Sequence, residues 1–439
     1  MGLHTTAIDP ATTIQNTANG RTRVYPWGVL ALVFGLLLSD YMSRQVLSAV
    51  FPLLKTEWAL SDSELASLNS VVAFMVGLLA LPISLLADRW GRIKSLVAMA
   101  TIWSAATLLC AVATNYGQML GARLLVGVGE AAYSSVGLAV VLTVFAPRLR
   151  STISGIFLAG ASFGSVVGVA LGGVIAVHTS WRWAFAAMAI LGLLLVALFR
   201  ALVTEGRLAR YRVPNTVEEP TAPDGYRAPL STLITNPALV CVYVGSGLPM
   251  FVTAVLMLWL PSYFNRYHGM APDQAGTTAA LFIVLMGIGM IVCGIVTDRV
   301  SNRHPVRKWV VAAAYCTASA VLLLAGFTVA AGMLQFALLG AGAFVCAGSS
   351  GPMTALVADL THPSVRASAF GAAILANNLL GIALGPMVVG ILADRFGLAT
   401  ALRLTPLVYL GALAALLLGR RLYPAGLAKV SAIAGTAPH

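Results

Sequence analysis

The sequence predicts an all-α membrane protein of about twelve transmembrane helices in two pseudo-symmetric six-helix bundles. Three observations predict it: a composition too apolar for water, twelve apolar runs of spanning length, and an acid–arginine pair repeated at matching places in the two halves. Of 439 residues, 59% are hydrophobic and 10% charged, with a mean hydropathy of +0.88. A soluble globular protein carries roughly 25% charged residues. So little charge cannot cover a water-facing surface on a chain this long, whereas lipid tolerates it.

Apolar runs lie near 27–50, 65–87, 95–114, 117–145, 151–177 and 183–203, and then near 237–264, 272–297, 309–330, 332–359, 365–393 and 399–419. Each is long enough to cross a hydrocarbon layer of about 30 Å at ~1.5 Å per helical residue. Between the two sets, 204–236 gathers Glu205, Arg207, Arg210, Arg212, Glu218, Glu219 and Asp224 with Pro214, Pro220, Pro223 and Pro229, the make-up of a solvated linker. The organisation expected is a cytoplasmic tail over 1–26, a bundle over 27–203, a cytoplasmic linker over 204–236, a second bundle over 237–421 and a cytoplasmic tail over 422–439. The first tail is polar and has no short apolar core ahead of a cleavage site, so the run from Trp27 reads as a retained span.

The net charge of +12 is explained by topology and calls for no nucleic acid. With both termini cytoplasmic, 20 of the 27 Lys and Arg residues fall inside and five outside (Lys55, Arg182, Arg266, Arg395 and Arg403), leaving Arg44 and Arg123 within spans. That bias sets both termini in the cytoplasm of a multi-pass inner-membrane protein. Cys110, Cys241, Cys293, Cys316 and Cys346 sit in apolar runs without CxxC spacing, as small buried residues do. His4, His178, His268, His304, His362 and His439 fall in predicted loops or termini. No metal site or cofactor is expected.

Between spans 2 and 3 the chain reads Asp88-Arg89-Trp90-Gly91-Arg92-Ile93-Lys94, and after span 8 it reads Gly294-Ile295-Val296-Thr297-Asp298-Arg299. A short cytoplasmic loop gathers basic residues anyway. An acid followed by Arg at both places, 210 residues apart, points instead to a duplicated six-span unit. The first loop strongly resembles the signature Gly-x-Leu-Ala-Asp-Arg-x-Gly-Arg-Lys of the major facilitator superfamily, with Ser84 for the leading glycine. The resemblance implies the major facilitator fold and a conformational role for Asp88, whose counterpart meets the start of helix 11, and by position for Arg89, Arg92, Asp298 and Arg299. Span 5 carries Gly160, Gly164, Gly168, Gly172 and Gly173, spaced for close helix packing. Trp181-Arg182-Trp183 resembles the start of helix 6 in this superfamily, and Gly385-Pro386, Gly390 and Asp394-Arg395 resemble helix 11.

Within the superfamily, Ser39-Asp40-Tyr41-Met42-Ser43-Arg44-Gln45 in span 1 and Arg123, Gly127, Gly129, Glu130 and Ala131 in span 4 resemble the Spinster-like transporters. That branch carries Asn-Tyr-x-Asp-Arg-Gln and Arg-x-x-x-Gly-x-Gly-Glu-Ala, and its eukaryotic members move sphingolipids and lysolipids. Here Ser43 stands where the branch has its acid, and Asp40 lies three residues earlier. Organic anion symporters share a similar helix 1 and are the competing resemblance.

A charge in the bilayer core costs several kcal/mol, and four ionisable groups look deeply placed: Asp40, Arg44, Arg123 and Glu130. Asp40 and Arg44 share one helix face. Counting ~1.5 Å per residue puts Arg123 about 9 Å below the outer surface and Asp40 at a similar depth, which permits an Asp40–Arg123 pair with Glu130 deeper. A structural lock between helices 1 and 4 would use the same groups, but buried charges in bundles generally line a pathway. The expected assignments are substrate binding by Arg44, Arg123, Tyr41, Asn377, Asn378 and Trp259, and proton coupling by Glu130 and Asp40. The function expected is alternating-access, proton-coupled transport of an organic anion or lipid-like amphiphile by a monomer. The rivals are a symporter of small sugar-acid or aromatic-acid anions, a transporter-like receptor, which would carry a signalling domain, and a membrane enzyme, which would need a nucleophile–base or metal constellation. For topology, a single cysteine at Asn302 should stay unlabelled by an impermeant maleimide in intact cells; labelling there would refute the assignment.

Overall fold

The computed structural model describes residues 10–145, 149–211, 229–301, 304–362 and 365–435, with side chains from Val24 onward apart from Leu81, Asp88, Arg150, Ser151, Thr152, Ala367 and 432–435. Asn302 lies outside the described residues. Among those described, twelve helices are long and apolar enough to cross a membrane. They are span 1 (Val24–Trp58), span 2 (Asp62–Ala80), span 3 (Arg92–Val112), span 4 (Tyr116–Thr143), span 5 (Ile153–His178), span 6 (Trp181–Leu202), span 7 (Pro237–His268), span 8 (Pro272–Ser301), span 9 (Arg307–Thr328), span 10 (Met333–Asp359), span 11 (Ser368–Phe396) and span 12 (Leu398–Ser431). An even number of crossings puts both chain ends on one face, here the near end; the opposite face is the far end.

Several boundaries differ from the sequence expectation. The helix that carries span 1 starts at Pro10 and continues to Trp58, eight residues past the expected limit of 50. The predicted N-terminal tail is thus helical from Pro10, and the final helix, Val408–Gly435, takes in most of the C-terminal tail. The linker contributes a short helix, Glu205–Arg210, and a single turn, Thr232–Thr235. His178 and His268 end helices instead of lying in loops.

Three spans are irregular at mid-depth. Span 4 breaks after Glu130 and resumes at Tyr133. Span 10 tightens at Ala347–Ser349, in the corresponding position of the second half. Span 11 widens into a π-helical stretch over Asn377–Ala383, a distortion that frequently marks function. Irregular backbone at membrane depth is tolerated only where protein or a cavity covers it.

Glycines set how closely the helices approach. A Cβ on Gly164 or Gly168 would press into the backbone of span 1 at Leu38 and Met42, where the built Cβ of Gly168 lies 2.7 Å from the Met42 backbone. The four-residue glycine repeat of span 5 therefore seats span 1 directly against it. Gly155, on the same helix, has nothing within 4 Å of a built Cβ. Gly168→Val should destabilise the protein by about 1–3 kcal/mol or more through overpacking, read as a lower melting temperature in detergent, while Gly155→Val melts like wild type. Equal melting of the two variants would contradict the packing.

Candidate functional site

Helix geometry brings the buried charges together at one depth. Arg44 lies 14 residues before Trp58, and Glu130 lies 14 residues after Tyr116, about 21 Å from the far end in each case. Arg44 Nε is 2.6 Å from Glu130 Oε2 and 3.6 Å from Asp40 Oδ1. One guanidinium therefore serves two carboxylates, one on its own helix and one on span 4. Its side chain is 16% exposed, against 4% for Asp40 and 0% for Glu130, so Arg44 is the charged member that accessible space can reach. The guanidinium also lies over the Tyr41 ring, 5.3 Å from its centroid. Ser43 Oγ donates to the Asp40 carbonyl oxygen at 2.8 Å, so the serine standing at the expected acid position folds back on its own helix.

The break in span 4 belongs to this arrangement. Gly129 has no room for a side chain, because a built Cβ would lie 2.6 Å from the Trp103 nitrogen of span 3. Gly127 is equally tight against Val72 and Met75 of span 2. With spans 2 and 3 pressed against it, the helix ends at Glu130 in mid-bundle. Tyr133 restarts it, donating its hydroxyl to the Val33 carbonyl oxygen at 2.9 Å and packing edge-on against Trp103.

Arg123 is placed differently from expectation. Its side chain is fully buried, and it donates Nε to the Leu68 carbonyl oxygen at 3.1 Å and Nη1 to the Ser43 carbonyl oxygen at 3.2 Å. The Asp40–Arg123 pair that the depth count permitted does not form. Depth counted from residue 50 raised Asp40 by about 12 Å, whereas span 1 runs on to Trp58; Arg44 takes both carboxylates, and Arg123 ties span 4 to the backbones of spans 1 and 2. Arg123→Ala should cost about 0.5–1.5 kcal/mol for each hydrogen bond lost, plus the cavity left by a fully buried side chain. It should therefore melt below wild type. An Arg123→Ala variant that melts like wild type would show that the two backbone contacts carry no load.

In the second bundle Asn377 Oδ1 accepts from Ser246 Oγ of span 7 at 2.8 Å, and Asn378 Nδ2 donates to the Ile374 carbonyl oxygen at 3.0 Å. Asn377 is half-buried and Asn378 buried. Trp259, expected to line a binding surface, is wholly buried. Its Nε1 donates to the Pro386 carbonyl oxygen at 3.3 Å, and its ring packs against Phe51 of span 1. In this conformation it is a packing residue. Arg89, Asp298 and Arg299 stand exposed at the near end, as does Arg92, which has a partner of its own. The Asp88 side chain lies outside the described residues.

Sequence reasoning missed the far-end contacts between the bundles. Arg266 of span 7 donates Nη1 and Nη2 to the two carboxylate oxygens of Asp62 at 2.8 and 2.6 Å, Lys55 donates to Asp62 Oδ1, and Asp394 of span 11 accepts from the N–H groups of Asp62 and Ser63. The capping box Ser61-x-x-Glu64 was the available signal that a helix starts at Asp62 and leaves free N–H groups there. Among the described residues, Arg92 and His362 aside, the hydrogen bonds that cross between the bundles all lie at this end. The structure is closed at the far end.

With that geometry established, comparison with known proteins places the chain. The family profile of the Major Facilitator Superfamily matches residues 32–386 and 250–434. "Protein spinster homolog 1" of Xenopus laevis is 26% identical over 392 residues, covering 84% of this chain and 73% of that protein. The hexuronate transporter of Bacillus subtilis is 22% identical over 374 residues, covering 84% and 88%. The crystal structure of a bacterial homologue of the human lysosomal transporter Spinster, in an inward-facing, unoccupied conformation, superposes with a TM-score of 0.81. It is 18% identical and covers 92% of this chain and 98% of that one, a likeness of fold. The chain belongs to the major facilitator superfamily of membrane transporters and is similar to its Spinster members.

Proposed function

We propose that the protein is a proton-coupled secondary transporter that moves an organic or amphipathic, lipid-like anion across the membrane by alternating access. The observation that carries this reading is the position of Arg44. Its guanidinium is ion-paired to Glu130 and Asp40 yet remains the most accessible of the buried charges. A planar guanidinium suits carboxylate or phosphate. An anion that engages Arg44 draws it from Glu130, and the carboxylate, left uncompensated in a low-dielectric bundle, takes up a proton. Substrate and proton then bind together. Asp40, still beside Arg44 on the same helix face, is the second proton acceptor. Asn377, Asn378 and Tyr41 supply polar and aromatic contacts around the anion, and Arg123 supports the site through the backbones of spans 1 and 2.

A second reading, a symporter of small sugar-acid or aromatic-acid anions, is favoured by the likeness to a hexuronate transporter. Both readings use the same charges and differ in the apolar part of the substrate. We place the protein as a monomer in the plasma membrane with its near end in the cytoplasm, following the distribution of Lys and Arg.

The test is transport by proteoliposomes under an imposed proton gradient, with lysophospholipids and sugar acids as the two substrate sets. Wild type should accumulate one set when the gradient is applied. Glu130→Gln, which mimics the protonated acid, should lose accumulation but keep exchange between preloaded vesicles. A Glu130→Gln protein that still concentrates substrate on proton drive alone would remove Glu130 as the coupling group.

A further inference from the structure

The pattern Gly-x-Leu-Ala-Asp-Arg-x-Gly occurs in full at the far end of span 11, as Gly390-Ile391-Leu392-Ala393-Asp394-Arg395-Phe396-Gly397. The near-end version, Ser84-Leu85-Leu86-Ala87-Asp88-Arg89-Trp90-Gly91, closes the helix that carries span 2, Asp62–Trp90. The two copies share a backbone geometry. Each helix ends at a glycine with positive φ, +100° at Gly91 and +82° at Gly397. Each glycine donates its N–H to the alanine carbonyl four residues back, at 3.1 and 2.9 Å. The positive φ is what requires glycine at both ends. The copies sit at opposite faces of the membrane, on two helices that pack against each other across the boundary between the bundles.

At the far end this geometry is engaged. Asp394 Oδ1 accepts the N–H of Asp62 at 2.6 Å, and Oδ2 accepts that of Ser63 at 2.9 Å. These residues open span 2, where helical N–H groups have no partner within the helix and the dipole favours an anion. Gly390 makes the reach feasible, since a Cβ there would lie 2.7 Å from the Asp62 carbonyl oxygen and 2.8 Å from the Ala66 Cβ. Arg266 then locks the Asp62 side chain from span 7. At the near end, Leu85, Leu86, Arg89 and Trp90 around the first copy stand exposed, as do Arg366 and Ser368 at the start of span 11.

We propose that Asp394 is a far-end conformational latch that caps the N-terminus of span 2 from the opposite bundle and holds the far end closed. The same sequence pattern ends both helices, at opposite faces of the membrane, and at the far end its aspartate caps the N-terminus of span 2. Making or breaking this cap biases the transporter toward one opening. The inference rests on the alternating-access reading, and its test is conformational and independent of any substrate.

Ala66 is wholly buried beneath the latch, and the five native cysteines are buried as well. Ala66→Cys in a cysteine-free background, reconstituted in nanodiscs, reports far-end opening by its rate of maleimide labelling. Asp394→Asn should raise that rate about tenfold, as loss of two charge-assisted hydrogen bonds implies. Ser63→Pro should raise it too, because it deletes one capped N–H at a first-turn position where proline is tolerated and leaves every carboxylate in place. Ala184→Cys, buried within one bundle, should stay unreactive in both variants. Background labelling of Ala66→Cys in both variants, or equal labelling of Ala184→Cys through general loosening, would overturn the latch. Raised Ala66→Cys labelling without transport of any anion in proteoliposomes would uphold the latch and count against the transport reading alone.

Discussion

One guanidinium in the middle of the membrane organises the first bundle. Arg44 is held by Asp40 on its own helix and by Glu130 on span 4, and no part of that triad is stable in hydrocarbon without the rest. Removing one partner of a buried pair leaves an uncompensated charge, which costs far more than the pair contributes. The three groups therefore have to meet at one depth, which fixes the axial register of span 4 against span 1. Arg123 reinforces that register without joining the triad: its donors reach the carbonyl oxygens of Ser43 and Leu68, and the first of these sits on the residue next to Arg44.

The same constraint accounts for the irregular backbone. Gly127 and Gly129 bring spans 2 and 3 hard against span 4, and the helix stops at Glu130. The second half repeats the interruption at Ala347–Ser349, without charge. Its polar counterpart is the π-helical stretch of span 11, whose Asn377 is held by Ser246. A charged wall thus belongs to one bundle and a neutral, amide-bearing wall to the other. Discontinuous helices in corresponding positions of two repeats are a recognised marker of a transporter's binding region. The far end is held shut by other chemistry, a carboxylate on free N–H groups and an arginine fork on Asp62, remote from the triad. In the proposed mechanism, that separation lets the triad charges change partners while the bundles stay folded.

Much of this was legible in the sequence. Composition and twelve apolar runs were enough for the all-α architecture, and Asp88-Arg89 with Asp298-Arg299 pointed to the duplication. Asp40, Arg44, Arg123 and Glu130 stood out because charge is costly in lipid. Their pairing was not legible from the run limits, since hydropathy ends span 1 near residue 50, whereas the helix continues through Pro52 and Lys55 to Trp58. Eight residues are more than two helical turns, enough to exchange Arg44 for Asp40 at a given depth. Trp259 was misread because an aromatic residue in a span gives no sign of whether it faces a cavity or, as here, a neighbouring helix at Phe51 and Pro386. The far-end contacts between the bundles join residues more than 200 positions apart, and the sequence hinted at them only through the Ser61-x-x-Glu64 capping box and the full Gly-x-Leu-Ala-Asp-Arg-x-Gly pattern at 390–397.

In the proposed mechanism an anion and Glu130 compete for Arg44, so that binding the anion loads a proton. Proton uptake on binding measures this directly. Purified protein in weakly buffered detergent is mixed with the transported anion, and a pH indicator dye reports protons taken from solution. Wild type should take up about one proton per bound anion, as linkage between the two ligands requires, and Glu130→Gln that still binds should take up none. Anion binding with no proton uptake at any pH between 5 and 8, where such a switch has to operate, or undiminished uptake in Glu130→Gln, would contradict it.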